Sequence, residues 1–436
     1  MVQPELCVLD YRLPKQQSGE QMANQLDSWI EDVIQKSKSV DPESELEGEL
    51  VHLLVKMCYE NKQISPNGVG QLLASAFDLL VAAQYYSALS HAGWLYCPRE
   101  TPRFFFHYTN CCPRHVLNNE FYFSPSQKPQ SGRIGNATSR LLLLFYNAIF
   151  ASLGKKEQVL KGGEPVDAVV VNRDKNVVLF AEIKASPLMT PSLSMIAQKM
   201  TKEVNGKVVA LEDHTAVSNS NFLGTELEML IPGKYDAGWQ ERYFELGKRA
   251  NQGHDTWALD GLIRLLKKDD SFFREYFAFW QEALGAYHPK SREGIFWLTN
   301  ACGTPSPVPS GWPERRNGDG YESVSDSKTS VGIDRTDDIK KGIYQVLKIG
   351  SEGKPKADKW RFKVGLISNI HAARHFDDYL ESLKDIVWTL DASGKARKVS
   401  DLPGDQKLYN LFDGIIALTR TVARDDWIKS VFGELG

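Results

Sequence analysis

The sequence predicts a mixed α/β protein in which a mixed central sheet is flanked by helices, with a helical N-terminal region before it and a large insertion within it. Three observations carry this expectation. Two β-branched runs, 166–171 and 177–185, are joined by the polar turn Asn172-Arg173-Asp174-Lys175-Asn176 and read as a hairpin. Both runs are apolar at nearly every position, as strands covered on both faces are. A strongly apolar helical stretch, 137–153, precedes them, and a helix and strand, 336–347 and 362–368, follow after a long gap. At 436 residues the chain exceeds what one core fills. Four regions are expected: 1–125, mainly helical; 126–190, with the hairpin; 191–330, the insertion; and 331–436, which completes the sheet and adds C-terminal helices.

Each element has a local reason. Leu26, Trp29, Ile30, Val33 and Ile34 recur at helical spacing, as do Leu50, Val51, Leu53, Leu54 and Met57. The break Ser65-Pro66-Asn67-Gly68 precedes a third helix, 70–89. The acids Glu43, Glu45, Glu47 and Glu49 read as the solvated start of the second helix, where the macrodipole favours negative charge. An aromatic, Arg- and Cys-containing stretch, 94–123, leads to a Pro- and Gly-rich loop, 124–136, with Thr138 or Ser139 as the next N-cap. The insertion predicts a strand at 207–211, helices near 241–250, 258–266 and 272–284, a strand near 294–299 and a polar loop at 303–327. Helices near 372–386 and 406–432 end the chain.

Composition narrows the function. Hydrophobic residues are 42% and charged residues 25%, the profile of a globular protein. A net charge of -3 excludes a global basic field, so a nucleic-acid partner would have to meet local positive charge. The first residues lack the basic and apolar segments of a secretory leader, and the apolar stretch 141–153 is too short to span a bilayer. Six irregularly spaced cysteines make no disulfide framework, so a reducing, cytoplasmic setting without membrane attachment is expected. The sequence GxxxxGK[ST] is absent, and no nucleotide cofactor is expected.

The chemistry concentrates in the hairpin. Pro165-Val166-Asp167 is followed fourteen residues later by Glu182-Ile183-Lys184. Glu182 and Lys184 leave the same face of a strand, and Asp167 joins them only if it pairs opposite Glu182. One face then carries Asp167, Val169, Val171, Val178, Phe180, Glu182 and Lys184, and the other Val166, Ala168, Val170, Leu179, Ala181 and Ile183. Ionisable groups at the end of a covered sheet need compensation, which a divalent cation supplies. Two carboxylates and a backbone carbonyl, that of Ile183, suit the hard-oxygen preference of Mg²⁺. Lys184 is placed to orient a water and to stabilise charge on a phosphoryl group. The same residues can also form a surface ion pair of small energetic consequence.

These residues resemble the PD-(D/E)xK nuclease superfamily: Pro165-Val166-Asp167, then Glu182-Ile183-Lys184, after the helix at 137–153. The resemblance implies a restriction-endonuclease-like core of helix, three strands, helix and strand, completed by 336–347 and 362–368. It covers about a quarter of the chain. It implies a Mg²⁺-dependent endonuclease, resembling type II restriction enzymes that cut duplex DNA as homodimers, with the insertion serving recognition or dimerisation. A structure-specific repair or recombination nuclease and a non-catalytic DNA-binding protein are the alternatives. The acid that many members carry on the first core helix is missing from 137–153, so Glu120 or Glu164 would have to substitute. Gln345 is the polar helix residue expected to face the site. Lys328, Arg335, Lys340 and Lys341 are candidate phosphate contacts, though the acids Asp337 and Asp338 are explained by the helix start alone. Arg315, Arg316 and Asn317 are candidate base readers. Cys97, Cys111, Cys112 and His115 raise zinc, but the spacing lacks paired CxxC elements, and they read as structural thiols. His371 and His375, spaced i and i+4, lack the glutamate of a zinc protease.

Overall fold

The computed structural model describes residues 19–435 apart from 88–92, 107–111, 121–130, 213–215, 219–223, 237, 250–255, 290, 292, 299–330, 356, 390–401, 403 and 405. The chain is mixed α/β. Helices α1 (Gly19–Lys36), α2 (Glu45–Glu60) and α3 (Val69–Ser87) form where the apolar spacing predicts them. Ser44 caps α2 by accepting from the Glu47 amide at 3.1 Å, and the Glu47 carboxylate accepts from the Glu43 amide at 2.8 Å. The expectation of a solvated acidic run is corrected at Glu47, which is fully buried because Arg140 donates to both of its carboxylate oxygens.

The stretch after α3 yields β1 (Gly93–Cys97), β2 (Arg103–Phe106) and the single turn α4 (Pro113–Val116). Helix α5 (Ser131–Ser152) begins earlier than expected, so Thr138 lies inside it and does not cap it. Its hydroxyl donates to the Gly135 and Ala185 carbonyls, tying the helix to the chain beyond the hairpin. Strands β3 (Gln158–Lys161), β4 (Ala168–Asn172) and β5 (Val177–Ile183) follow. The β4–β5 turn forms as predicted: the Asn172 side chain accepts from the Lys175 amide at 3.1 Å, and Asn176 takes a positive φ of 47°.

The insertion contributes β6 (Ser192–Ile196), the hairpin of β7 (Thr201–Val204) and β8 (Lys207–Ala210), then β9 (Ala216–Ser218) and β10 (Glu226–Leu230). A small hairpin of β11 (Gly233–Tyr235) and β12 (Gly238–Gln240) precedes β13 (Tyr243–Lys248). Helices α6 (Trp257–Lys268), α7 (Phe272–Tyr287) and α8 (Gly294–Trp297) come next. Two expectations are corrected here. Where a helix is expected near 241–250, Tyr243–Lys248 form β13, because Phe244 and Leu246 are buried at alternate positions while the strand pairs with β10. Where a strand is expected near 294–299, Gly294–Trp297 form α8, and Gly294 packs so closely that a Cβ would lie 2.3 Å from the Val116 carbonyl oxygen.

Helix α9 (Thr336–Gly353) and β14 (Arg361–Ser368) follow as predicted. The C-terminal helices do not. Within 372–386 only α10 (Phe376–Tyr379) is helical, since the buried Asp334 carboxylate accepts from the Arg374 and His375 amides and holds that stretch in a loop. Beyond it lie β15 (Val387–Trp388), β16 (Tyr409–Asn410), β17 (Gly414–Ala417), β18 (Val422–Ala423) and α11 (Asp426–Phe432). Within 406–432 only α11 matches the expected helix. Gly414-Ile415-Ile416-Ala417 is a continuous buried run, a parallel neighbour of β14.

Two six-stranded sheets result. The first, mixed, runs β18-β17-β14-β5-β4-β3, with β14 parallel to β5 and to β17. The second, antiparallel, runs β13-β10-β6-β2-β1-β9, so strands from the first 125 residues share a sheet with strands of the insertion. On the first sheet, Val169, Val171, Val178 and Phe180 pack toward Ile339, Val346 and Ile349 of α9. The Phe180 ring meets Trp29 of α1 edge-on at 5.5 Å. Ala168, Val170, Leu179, Ala181 and Ile183 enter the core that contains Leu141, Phe145 and Ile149 of α5. The hairpin is thus covered on both faces. Val166 is the exception to the expected alternation, since it packs with Val169 rather than Ala168.

Candidate active site

The β4–β5 register brings the predicted residues together. Ala168 pairs with Ala181 and Val169 with Phe180, so Asp167, one residue before β4, stands across from Glu182. Asp167 is exposed, and its Oδ2 accepts from the Ile183 amide at 3.0 Å. Lys184 Nζ donates to Glu182 Oε1 at 2.6 Å, with the two side chains only 21% and 16% exposed. The Lys184 amide donates to the Ile367 carbonyl at 3.0 Å, which pins this end of β5 to β14. Burial raises the Glu182 carboxyl above its ordinary value; Lys184 opposes this, and the neighbouring Asp167 carboxylate adds to it. Two carboxylates therefore crowd together at a half-buried sheet end. That donor set is all oxygen and anionic, the kind that a hard divalent cation neutralises.

The surroundings hold this geometry. Gln345 of α9 donates from Nε2 to the Pro165 carbonyl at 2.9 Å, so it reaches the segment that carries Asp167. Gly342, one turn earlier, lets α9 approach the sheet: a Cβ there would lie 2.9 Å from Leu366 Cδ2 and 4.0 Å from Glu182 Cγ. Gly162 is equally constrained, because its amide donates to the Asp167 carbonyl while a Cβ would stand 2.4 Å from the Val166 carbonyl oxygen. Sequence reasoning missed both glycines. Gly162-Gly163 just before Glu164 was the available signal for the turn.

The remaining candidates are placed as follows. Ile183 lies between Glu182 and Lys184, its side chain buried and its amide taken by Asp167. Glu164 is exposed and joined to Pro165 by a cis peptide bond. Glu120 is engaged elsewhere, in an ion pair with Arg99. Lys340 and Lys341 are exposed on α9, with Lys340 Nζ 5.5 Å from the Tyr379 ring centre, and Arg335 lies 3.9 Å from Asp337. Lys328, Arg315, Arg316, Asn317 and Cys111 lie outside the described residues.

The second sheet holds a different charged cluster, beside a cleft of about 600 Å³ lined by Arg99, Arg103, Arg114, Trp239, Glu241 and Tyr243. Its cations are committed internally. Arg103 pairs with Glu228 and lies 3.5 Å from the Tyr243 ring centre, while Arg114 pairs with Glu241 at 2.9 Å and donates to the Arg99 and Thr101 carbonyls. These groups hold strands and loops together. Among the described residues no helix is long and apolar enough to cross a membrane. Compared with family models, curated proteins and solved structures, the chain matches none.

Proposed function

We propose that this chain is a Mg²⁺-dependent endonuclease that hydrolyses phosphodiester bonds of duplex DNA, and that it acts as a homodimer in the manner of type II restriction enzymes. The observation that supports this most is the pairing of Asp167 across from Glu182, with Lys184 on the same strand end, in the register the catalytic reading requires. The element order α5, β3, β4, β5, α9, β14 is also the order that a resemblance to PD-(D/E)xK nucleases implies.

Each residue has a distinct task in this reading. Asp167 and Glu182 would hold the metal, because crowded carboxylates lose their mutual repulsion when a cation lies between them. When bound, Mg²⁺ supplies Lewis-acid polarisation of the phosphoryl oxygen and a more acidic water. Lys184 orients the attacking water and hydrogen-bonds the phosphoryl oxygen as negative charge grows on it. The water oxygen bonds to phosphorus as the opposite P–O bond breaks, and no covalent intermediate with the chain forms. Gln345 fixes the Pro165 segment and so holds Asp167 at its station. Lys340 and Lys341, exposed on the helix that covers this face, contact the phosphate backbone.

The test incubates the purified chain with plasmid DNA in Mg²⁺ or EDTA. Discrete fragments in Mg²⁺ alone support a site-specific endonuclease. Cutting only at junctions or flaps favours a structure-specific repair enzyme, and intact plasmid with intact branched DNA overturns the nuclease reading.

A further inference from the structure

We propose a second metal site, remote in chemistry from the carboxylates: Cys97, Cys112 and His115 form a structural site for a thiolate-binding divalent cation, Zn²⁺ foremost. One ligand atom from each of the three lies within 4.8 Å of the other two, and all three residues are buried. A tetrahedral zinc, with bonds of about 2.3 Å to sulfur and about 2.0 Å to nitrogen, sets its ligand atoms about 3.5–3.8 Å apart. The three atoms thus need to close by at most about 1.3 Å.

Local structure explains how the site is built. Cys112 precedes α4 as its N-cap and His115 lies in that single turn, so the run Cys112-Pro113-Arg114-His115 is a Cys-x-x-His pair on one turn of chain. Cys97 ends β1 and supplies the third ligand from the antiparallel sheet. Arg114 Nη1 donates to Cys97 Sγ at 3.6 Å. A donor of this kind orients a metal-bound thiolate and spreads its charge. Two thiolates and a neutral imidazole balance the charge of Zn²⁺, and binding releases the two thiol protons to solvent. The fourth position is left to a further ligand or to water.

Sulfur and imidazole ligands select a borderline metal over Mg²⁺, so this site and the carboxylate site would not compete. The metal would fasten α4 to β1 and thereby fix Arg114, whose guanidinium reaches Glu241 and Tyr243.

The experiment uses the reduced, EDTA-treated full chain titrated with Co²⁺. One equivalent should develop the strong visible bands of tetrahedral cobalt together with a thiolate-to-cobalt charge-transfer band, and Zn²⁺ should displace it. Cys97→Ser, Cys112→Ser and His115→Ala should each abolish stoichiometric binding, while Cys58→Ser, which removes a buried thiol elsewhere, and Asp167→Ala should leave it intact. Should the ligand variants fail to fold, the wild-type titration decides. A folded wild-type chain with no thiolate–cobalt band, a band unchanged in both Cys97→Ser and Cys112→Ser, or a Cys97–Cys112 disulfide in the protein as purified would overturn the proposal.

Discussion

The two six-stranded sheets use charge in opposite ways. In the mixed sheet, the groups at the end of the β4–β5 hairpin are mutually strained: Asp167 and Glu182 face each other, and Lys184 only partly offsets them. Beside the antiparallel sheet two buried arginines have carboxylates of their own, Arg103 with Glu228 and Arg114 with Glu241. Removing one partner of a satisfied buried pair strands the other charge at a large cost, whereas crowding of like charges raises a carboxyl's pKa and marks a candidate functional site. The contrast separates residues whose loss should alter chemistry from residues whose loss should alter folding.

The largest expected effect breaks the mixed-sheet side. Asp167→Ala and Glu182→Ala should each lower Mg²⁺-dependent cleavage by at least about a thousandfold, measured as single-turnover rates, with circular dichroism unchanged. Glu182→Gln should in addition raise the melting temperature at neutral pH. A carboxyl whose folded pKa is raised contributes stability that is present at low pH and lost as pH rises through that value. A drop in melting temperature would contradict the strained pairing. Lys184→Ala should cost about a hundredfold in rate with little change in substrate affinity.

The antiparallel sheet should respond in the opposite sense. Arg103→Met leaves Glu228 without its cation and should cost about 3 kcal/mol in urea denaturation. Its effect on cleavage, measured where the protein is still folded, should be small. Gly342→Ala sharpens the comparison at the boundary, because its new methyl group would press on Leu366 and toward Glu182. It should cost about 1–3 kcal/mol and slow cleavage together.

The smallest effect is one of pH. Burial, with help from Arg420, lowers His371 to about 4 from 6.5, so the folded state holds this ring neutral. Its contribution is complete above the unfolded pKa and is lost as pH falls toward 4, amounting to about 2 kcal/mol between pH 7 and pH 5. His371→Phe should flatten that part of the stability profile; an unchanged slope would assign it to other groups.

What the sequence showed depended on how local each feature is. The hairpin was legible because two β-branched runs, a polar turn and the need to keep Asp167 beside Glu182 all select one register. Helix α9 and β14 were legible from their own periodicity, although their partners lie far away in the chain. The antiparallel sheet was not, since β6 and β10 are short and pair only through contacts remote in sequence. The strand β13 was mistaken for a helix because Tyr243, Phe244 and Leu246 fit either period in so short a run. The β17 segment was lost for the same reason: a continuous apolar run carries no period at all. Glu47 looked solvated because its partner, Arg140, is 93 residues away. The sequence names Cys97, Cys112 and His115 together but reads them as structural thiols, because paired CxxC elements are absent and Cys97 stands on a separate strand.

The order in which the carboxylate site is assembled follows from the same distances. Asp167 and the Ile183 amide it binds are 16 residues apart and belong to one hairpin, whereas the Gln345 side chain that braces Pro165 comes from 180 residues away. Closing the hairpin is a microsecond event, but docking a helix across so long an intervening chain is slow. In a refolding experiment followed by pulsed hydrogen exchange, the Ile183 amide should therefore gain protection before the amides of β14. The two acids would meet early, in water, and be enclosed late, so that the desolvation of Glu182 is among the last costs the folding chain meets.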